Sequence, residues 1–253
     1  MPKRHEALRV RESEGATGPE AAPGVTLRAP RYSVDWVGHF LEKVDRHLEP
    51  GVSILDVGPG PTPTLPVERR PAGCRCVAID ASATELERAP AGSYDEIIVQ
   101  DIVEPLPALE GRFDLVLSWQ VLEHVLDLQA TLENLRTYLR PGGQLIALFS
   151  GGFSAFAALN RLLPARASVW AMKRLLNRAP ETVFPAYYDR CYEGALTRIL
   201  TPWSRWETEA HYRGAIYFRF SKVLQIAYVA YENWACAGGH RNLATHYLLS
   251  AER

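Results

Sequence analysis

Five short apolar runs constrain what this chain can fold into: VSILDV (52–57), CRCVAID (74–80), DEIIVQD (95–101), FDLVLSW (113–119) and QLIALFS (144–150). They are continuous rather than alternating, which predicts strands buried on both faces. Between the last two, Leu128, Leu132, Leu135 and Leu139 recur at helical spacing over 128–139, and Pro141-Gly142-Gly143 turns the chain into the next run. Before the first run, VDWVGHFLEKVDRHL reads as a helix, with Ser33 as N-cap and Pro50-Gly51 as its end. Strands alternating with helical segments predict a parallel sheet covered on both sides, an α/β fold.

The flanks have a different character. Residues 1–27 are polar and Gly/Pro-marked, and predict a flexible tail. Residues 151–180 hold no Asp or Glu but do hold Arg161, Arg166, Lys173, Arg174 and Arg178. As a helix they place Arg166, Trp170, Arg174 and Arg178 in one stripe, so peripheral membrane or anionic-substrate contact is expected through 161–178. A helix over 191–200, a strand at WETEAHY, an apolar helix over 215–237 and a last strand at NLATHYLLSAE follow. Arg219, Lys222, Gln225, Glu232 and Asn233 argue against a membrane span in 215–237. The expected organisation is a 1–27 tail, a 28–150 core and a 151–190 basic and apolar cap. Residues 191–253 then return to the core, with a second cap segment at 213–238.

A net charge of −1 offers no global field for nucleic acid, and no N-terminal segment has the apolar core of a signal peptide. The four cysteines, among them Cys74-x-Cys76, lack zinc spacing. Reduced thiols, a cytoplasmic location and no metal centre are expected.

In an open α/β sheet, ligands sit beyond the carboxyl ends of the strands. After the first run stands Asp56-Val57-Gly58-Pro59-Gly60-Pro61-Thr62. The glycines admit a close ligand. Pro63 replaces the third glycine of a dinucleotide fingerprint, and no Gly-Lys-Ser/Thr follows for a phosphate loop. A carboxylate at 56 repels pyrophosphate and attracts an ammonium. Asp80, beyond the second run, suits the two hydroxyls of a ribose; Asp101 and Ile102, beyond the third, suit an adenine amine and ring face. Together these groups suit S-adenosylmethionine.

ILDVGPG, VAID, QDI, FDLVLSWQVLEHV and LRPGGQLIALF, in this order, resemble the class I SAM-dependent methyltransferases of the broad type-11 group. The resemblance implies a Rossmann-like seven-stranded sheet with helices on both faces, and a helical cap is expected from 151–190 and 213–238. It also implies S-adenosyl-L-methionine as cofactor, with S-adenosyl-L-homocysteine as product. By the same likeness Asp56, Gly58, Pro59 and Gly60 lie near the methionine end. Asp80 and Ala81 lie at the ribose, Asp101 and Ile102 at the adenine, and Ser118, Trp119 and Gln120 beside the methionine moiety. Tyr32 closes over the cofactor. Pro61, Pro63 and Pro66 stand where the first crossover helix belongs, so that helix is expected to be short or displaced.

His124, just past the fourth run, is the candidate general base, with bracing of its own loop as its alternative role. Tyr187 and Tyr188 either line an acceptor pocket or pack the cap. The expected acceptor is a small molecule attacking through oxygen, in a lipophilic, glycosyl or lipid-linked variant. A non-catalytic module that binds SAM or its product is the competing reading. A nicotinamide-dependent reductase fits poorly because of Asp56 and Pro63.

Overall fold

The computed structural model describes residues 29–154, 157, 185–218 and 221–253. The expected tail and most of the expected 151–190 cap, including the basic stripe, lie outside the described residues. The helices are α1 (Trp36–Asp45), α2 (Ala83–Glu87), α3 (Leu128–Tyr138), α4 (Glu193–Ile199) and α5 (Lys222–Ala237). The strands are β1 (Ser53–Val57), β2 (Arg75–Asp80), β3 (Glu96–Val99), β4 (Phe113–Trp119), β5 (Leu139–Ser150), β6 (Arg205–His211) and β7 (His246–Glu252).

The strands form one seven-stranded sheet in the order β3-β2-β1-β4-β5-β7-β6. The first five pair in parallel, and β7 runs antiparallel to both β5 and β6. Strand order reverses between β1 and β4, which directs a ligand to the carboxyl ends of those strands.

Successive strand residues point to opposite faces. On one face Leu55, Val57, Val77 and Val116 pack under Leu128, Leu132 and Leu135 of α3. On the other, Ile54, Leu115, Leu117, Ile146 and Leu148 pack under Trp36, Val37, Phe40, Leu41 and Val44 of α1. Burying each such leucine stabilises the fold by roughly 1.5–3 kcal/mol, so the two clusters fix both helices on the sheet.

Helix ends depart from expectation. α1 is capped by Asp35, not Ser33; the Asp35 carboxylate accepts from the Gly38 amide at 3.1 Å. The apolar 215–237 run is divided: Gly214–Phe218 forms a 3-10 turn and α5 begins at Lys222, capped by Ser221. Between β1 and β2 there is no α-helix, only a 3-10 turn at Val67–Arg69. Among the described residues no helix is long and apolar enough to cross a membrane.

Candidate active site

At the end of β1 the chain makes a left-handed step at Gly58 (φ +62°) and another at Gly60 (φ +57°). The Gly58 amide donates to the Ile79 carbonyl at 2.8 Å, which holds the loop against β2. A Cβ on Gly58 would lie 2.5 Å from Val121 Cγ2, so glycine is required there. At Gly60 the nearest atom to such a Cβ is Glu85 Oε2 at 3.9 Å, so the space above that backbone is open. The Gly60 amide donates to Asp80 Oδ2 at 3.0 Å, and the Ser82 amide donates to Asp80 Oδ1 at 2.9 Å. Two backbone donors thereby aim the Asp80 carboxylate, and each oxygen keeps a second lone pair for a ligand hydroxyl. Ala81 beside it is exposed and Pro59 is buried.

Asp56 is tied into the loop that leaves β1. Its carboxylate is fully buried; Oδ2 accepts from the Thr64 amide at 2.8 Å and from the Tyr94 hydroxyl at 2.9 Å. The reason lies in that loop: without a helix between β1 and β2, its amides need other acceptors, and Asp56 is one. Arg70 supplies another tie, with its guanidinium donating to the Leu65 and Ser93 carbonyls and resting over the Tyr94 ring.

Beyond β3, Asp101 is exposed and its Oδ1 accepts from the Val103 amide at 3.0 Å, while Ile102 is buried. Asn134 of α3 holds the Ile102 and Val103 carbonyls at 3.0 and 2.9 Å, fixing this corner to the helix. At the end of β4, Ser118 is fully buried and its Oγ has no hydrogen-bond partner. The Trp119 ring turns toward α1 and meets Phe40 edge-on at 4.9 Å, so its side chain packs in the core. Gln120 takes φ +57°, a conformation that strains a side-chain-bearing residue, while its amide donates to the Leu148 carbonyl at 2.7 Å.

His124 ends a 3-10 turn, Leu122–His124. Its Nδ1 lies 2.9 Å from the Pro185 carbonyl oxygen. A carbonyl only accepts, so Nδ1 carries the ring proton and the basic lone pair falls on Nε2. Glu123 is buried; its Oε1 accepts from the Ser150 hydroxyl at 2.8 Å and its backbone carbonyl accepts from the Tyr187 and Tyr188 amides, both at 3.0 Å. Tyr188 is buried and Tyr187 exposed. Among the described residues, no hydrogen bond joins Tyr32 to the glycine loop. Its hydroxyl donates to Glu232 Oε2 at 2.5 Å, and burial, with Glu232 next, pushes the phenol well above its ordinary range. Glu232 is itself fully buried in α5 and also accepts from the Gly214 amide and the Thr245 hydroxyl.

Two groups that shape this region, Tyr94 and Glu232, carry little signal in the sequence. Tyr94 meets Asp56 across 38 positions, with no local pattern to signal it. Glu232 did leave a trace, as an acid in an otherwise apolar run.

Residues 28–177, more than half of the chain, match the profile of a family described as a methyltransferase domain. An uncharacterised 37.1 kDa protein of transposon Tn4556 from Streptomyces fradiae is 36% identical over 104 residues, covering 38% of this chain and 30% of that protein. A ubiquinone biosynthesis O-methyltransferase from Chelativorans sp. (strain BNC1) is 32% identical over 120 residues, covering 46% and 43%. The chain thus spans under half the length of these curated relatives. Among solved structures, phosphoethanolamine N-methyltransferase 2 of Haemonchus contortus, in complex with S-adenosyl-L-methionine, shares the fold at a TM-score of 0.52 and 14% identity. That match covers 85% of this chain and 52% of that one.

Proposed function

The chain belongs to the methyltransferase-domain family, within the class I SAM-dependent methyltransferases, and from that premise we propose that it transfers a methyl group from S-adenosyl-L-methionine to an oxygen of a small-molecule acceptor. The observation that carries the cofactor assignment is the pairing of Gly60 and Asp80. An open glycine backbone and an aimed carboxylate stand together at the switch in strand order.

The residues present fit the cofactor. Gly58 and Gly60 would face the methionine moiety, with Asp80 taking the ribose hydroxyls. Asp101 and Ile102 would border the adenine. The buried Ser118 hydroxyl, without a partner of its own, would lie under the methionine end with the Gln120 backbone. Asp56 would hold the loop from below through the Thr64 amide. Once bound, the cofactor supplies an activated methyl group on a sulfonium.

What the chain must add is alignment and a destination for the acceptor's proton. His124 Nε2 is the group for the second task, because the Pro185 carbonyl fixes the opposite tautomer. An O-methyltransferase among the relatives supports oxygen as the nucleophile. The test is incubation with methyl-labelled cofactor and a panel of phenols and carboxylic acids. Label in an acceptor, with stoichiometric S-adenosyl-L-homocysteine, is the expected result. Tight cofactor binding with no label transferred across the panel would favour a non-catalytic binding module.

A further inference from the structure

His39, Glu209 and His211 stand together where α1 crosses the edge strand β6. The three residues bring their donor atoms within 4.8 Å of one another. Glu209 and His211 are two apart on β6 and so share a face. His39 comes from the second turn of α1. We propose that these three side chains form a binding site for a divalent transition metal of the zinc class, which bolts β6 to α1.

The donor set is two imidazoles and one carboxylate, a set zinc uses when one coordination position is left to water. The side chains are partly exposed, at 33% for His39, 26% for Glu209 and 21% for His211, so the cluster lies near the surface. The distances also discriminate. His211 Nε2 lies 3.6 Å from Glu209 Oε2, has almost no solvent access and makes no hydrogen bond. That separation is too long for a hydrogen bond. Tetrahedral bonds of about 2.0–2.2 Å place neighbouring donors about 3.3–3.6 Å apart. His39 Nε2 sits closer to the same oxygen, at 2.7 Å, and donates its proton to it, since a carboxylate only accepts. A metal would replace that proton, and the pair would open by about 0.7 Å to reach the tetrahedral spacing.

The surroundings orient the donors. The other nitrogen of His39, Nδ1, faces Glu42 Oε2 at 4.0 Å, one turn along α1. The His211 ring meets the Trp36 ring edge-on at 4.3 Å, and the Arg213 guanidinium covers Trp36 from 4.7 Å. Among the described residues Lys43 is the one ammonium in direct contact; it donates to Glu209 Oε1 at 2.6 Å and leaves Oε2 to the imidazoles. Against that charge stand Glu42, Glu207 and Glu209, with Glu207 3.6 Å from Lys43. Arg46 pairs with Glu42 at 2.8 Å and Arg213 lies over Trp36, so the charges around the donors balance, and the donor set and its spacing carry the assignment. The cluster also stands at the carboxyl edge of the sheet, since His211 is in register with His246 and His246 with Ser150.

The test uses the full chain stripped with EDTA. Zinc chloride is titrated against a chromogenic chelator, and cobalt is titrated separately for its visible spectrum. One zinc per chain at micromolar affinity or tighter, intense tetrahedral cobalt bands and a zinc-dependent rise in melting temperature are expected. His39→Gln and His211→Gln should each weaken zinc by at least about tenfold. Failure of the wild type to bind, or binding unchanged in both variants, would overturn the site. The wild-type cobalt spectrum decides even if a variant misfolds: thiolate charge-transfer bands would place the metal on cysteine and also overturn the site.

Discussion

Asp56 and Thr64 clasp the loop that leaves β1: the buried carboxylate accepts the Thr64 amide at 2.8 Å, and Tyr94 donates to the same oxygen from across the sheet. This contact replaces part of what a crossover helix would provide. Asp56→Ala should therefore act on stability, costing about 2–4 kcal/mol in denaturant unfolding, since the buried Thr64 amide and the partly buried Tyr94 hydroxyl lose their acceptor. Tyr94→Phe should cost about 1 kcal/mol. An Asp56→Ala chain that unfolds at the wild-type midpoint while losing cofactor affinity would restore Asp56 to direct ligand contact.

Gly58 and Gly60 separate packing from ligand space. Gly58→Ala suffers twice, from a positive φ worth about 1–2 kcal/mol and from the clash with Val121. Adding Val121→Ala should recover the clash but not the φ cost. Gly60→Ala meets no such neighbour, so it should fold with only the φ cost of about 1–2 kcal/mol yet bind S-adenosyl-L-homocysteine more than tenfold more weakly. Calorimetric titration beside thermal melts reads both effects. Equal cofactor affinity in Gly60→Ala and wild type would place the ligand elsewhere.

His124→Ala should lower kcat by about a hundredfold to ten-thousandfold if its Nε2 takes the acceptor's proton, with unchanged affinity for S-adenosyl-L-homocysteine. A change of less than about threefold in kcat, judged against that range, would leave the residue as a brace for the Pro185 segment.

Stability should fall on acidification through His246. Burial, with Arg213 and His211 adding charge, lowers this imidazole from 6.5 to about 3. The folded chain keeps it neutral, while the unfolded chain protonates it near its ordinary value. The unfolded state thus binds more protons between those values. The contribution is complete above about pH 6.5 and declines as pH falls toward 3. Between pH 7.5 and 5 the loss should be about 2 kcal/mol. Unfolding curves in EDTA buffer at the two pH values should show the difference shrinking in His246→Gln. An unchanged difference would assign the acid sensitivity to other groups.

The sheet was legible because each of its parallel strands is an unbroken apolar run ended by a polar or glycine residue. Leu128, Leu132 and Leu135 announced α3 by spacing alone. The first crossover was legible only in the negative: Pro61, Pro63 and Pro66 forbade a long helix, but nothing local said that Asp56, Tyr94 and Arg70 would hold the loop instead. Asp35 displaced Ser33 as the cap of α1 because both residue types can cap, and their separation of two positions decides between them only in three dimensions. Trp119 illustrates the remaining gap. Its place at the end of β4 was clear, yet strand alternation sends its ring to α1 and leaves only its backbone at the carboxyl edge. The His39–Glu209–His211 cluster unites residues 170 positions apart, which spacing rules for metal motifs do not cover.

The central claim is that Asp80, aimed by the Gly60 and Ser82 amides, holds the ribose of an S-adenosyl cofactor. Calorimetric titration of S-adenosyl-L-homocysteine into the wild type and into Asp80→Ala tests it most directly. The account predicts micromolar binding to the wild type and a loss of about tenfold to a hundredfold in the variant, with the fold retained. No binding to folded wild type, or equal binding to both chains, would contradict it.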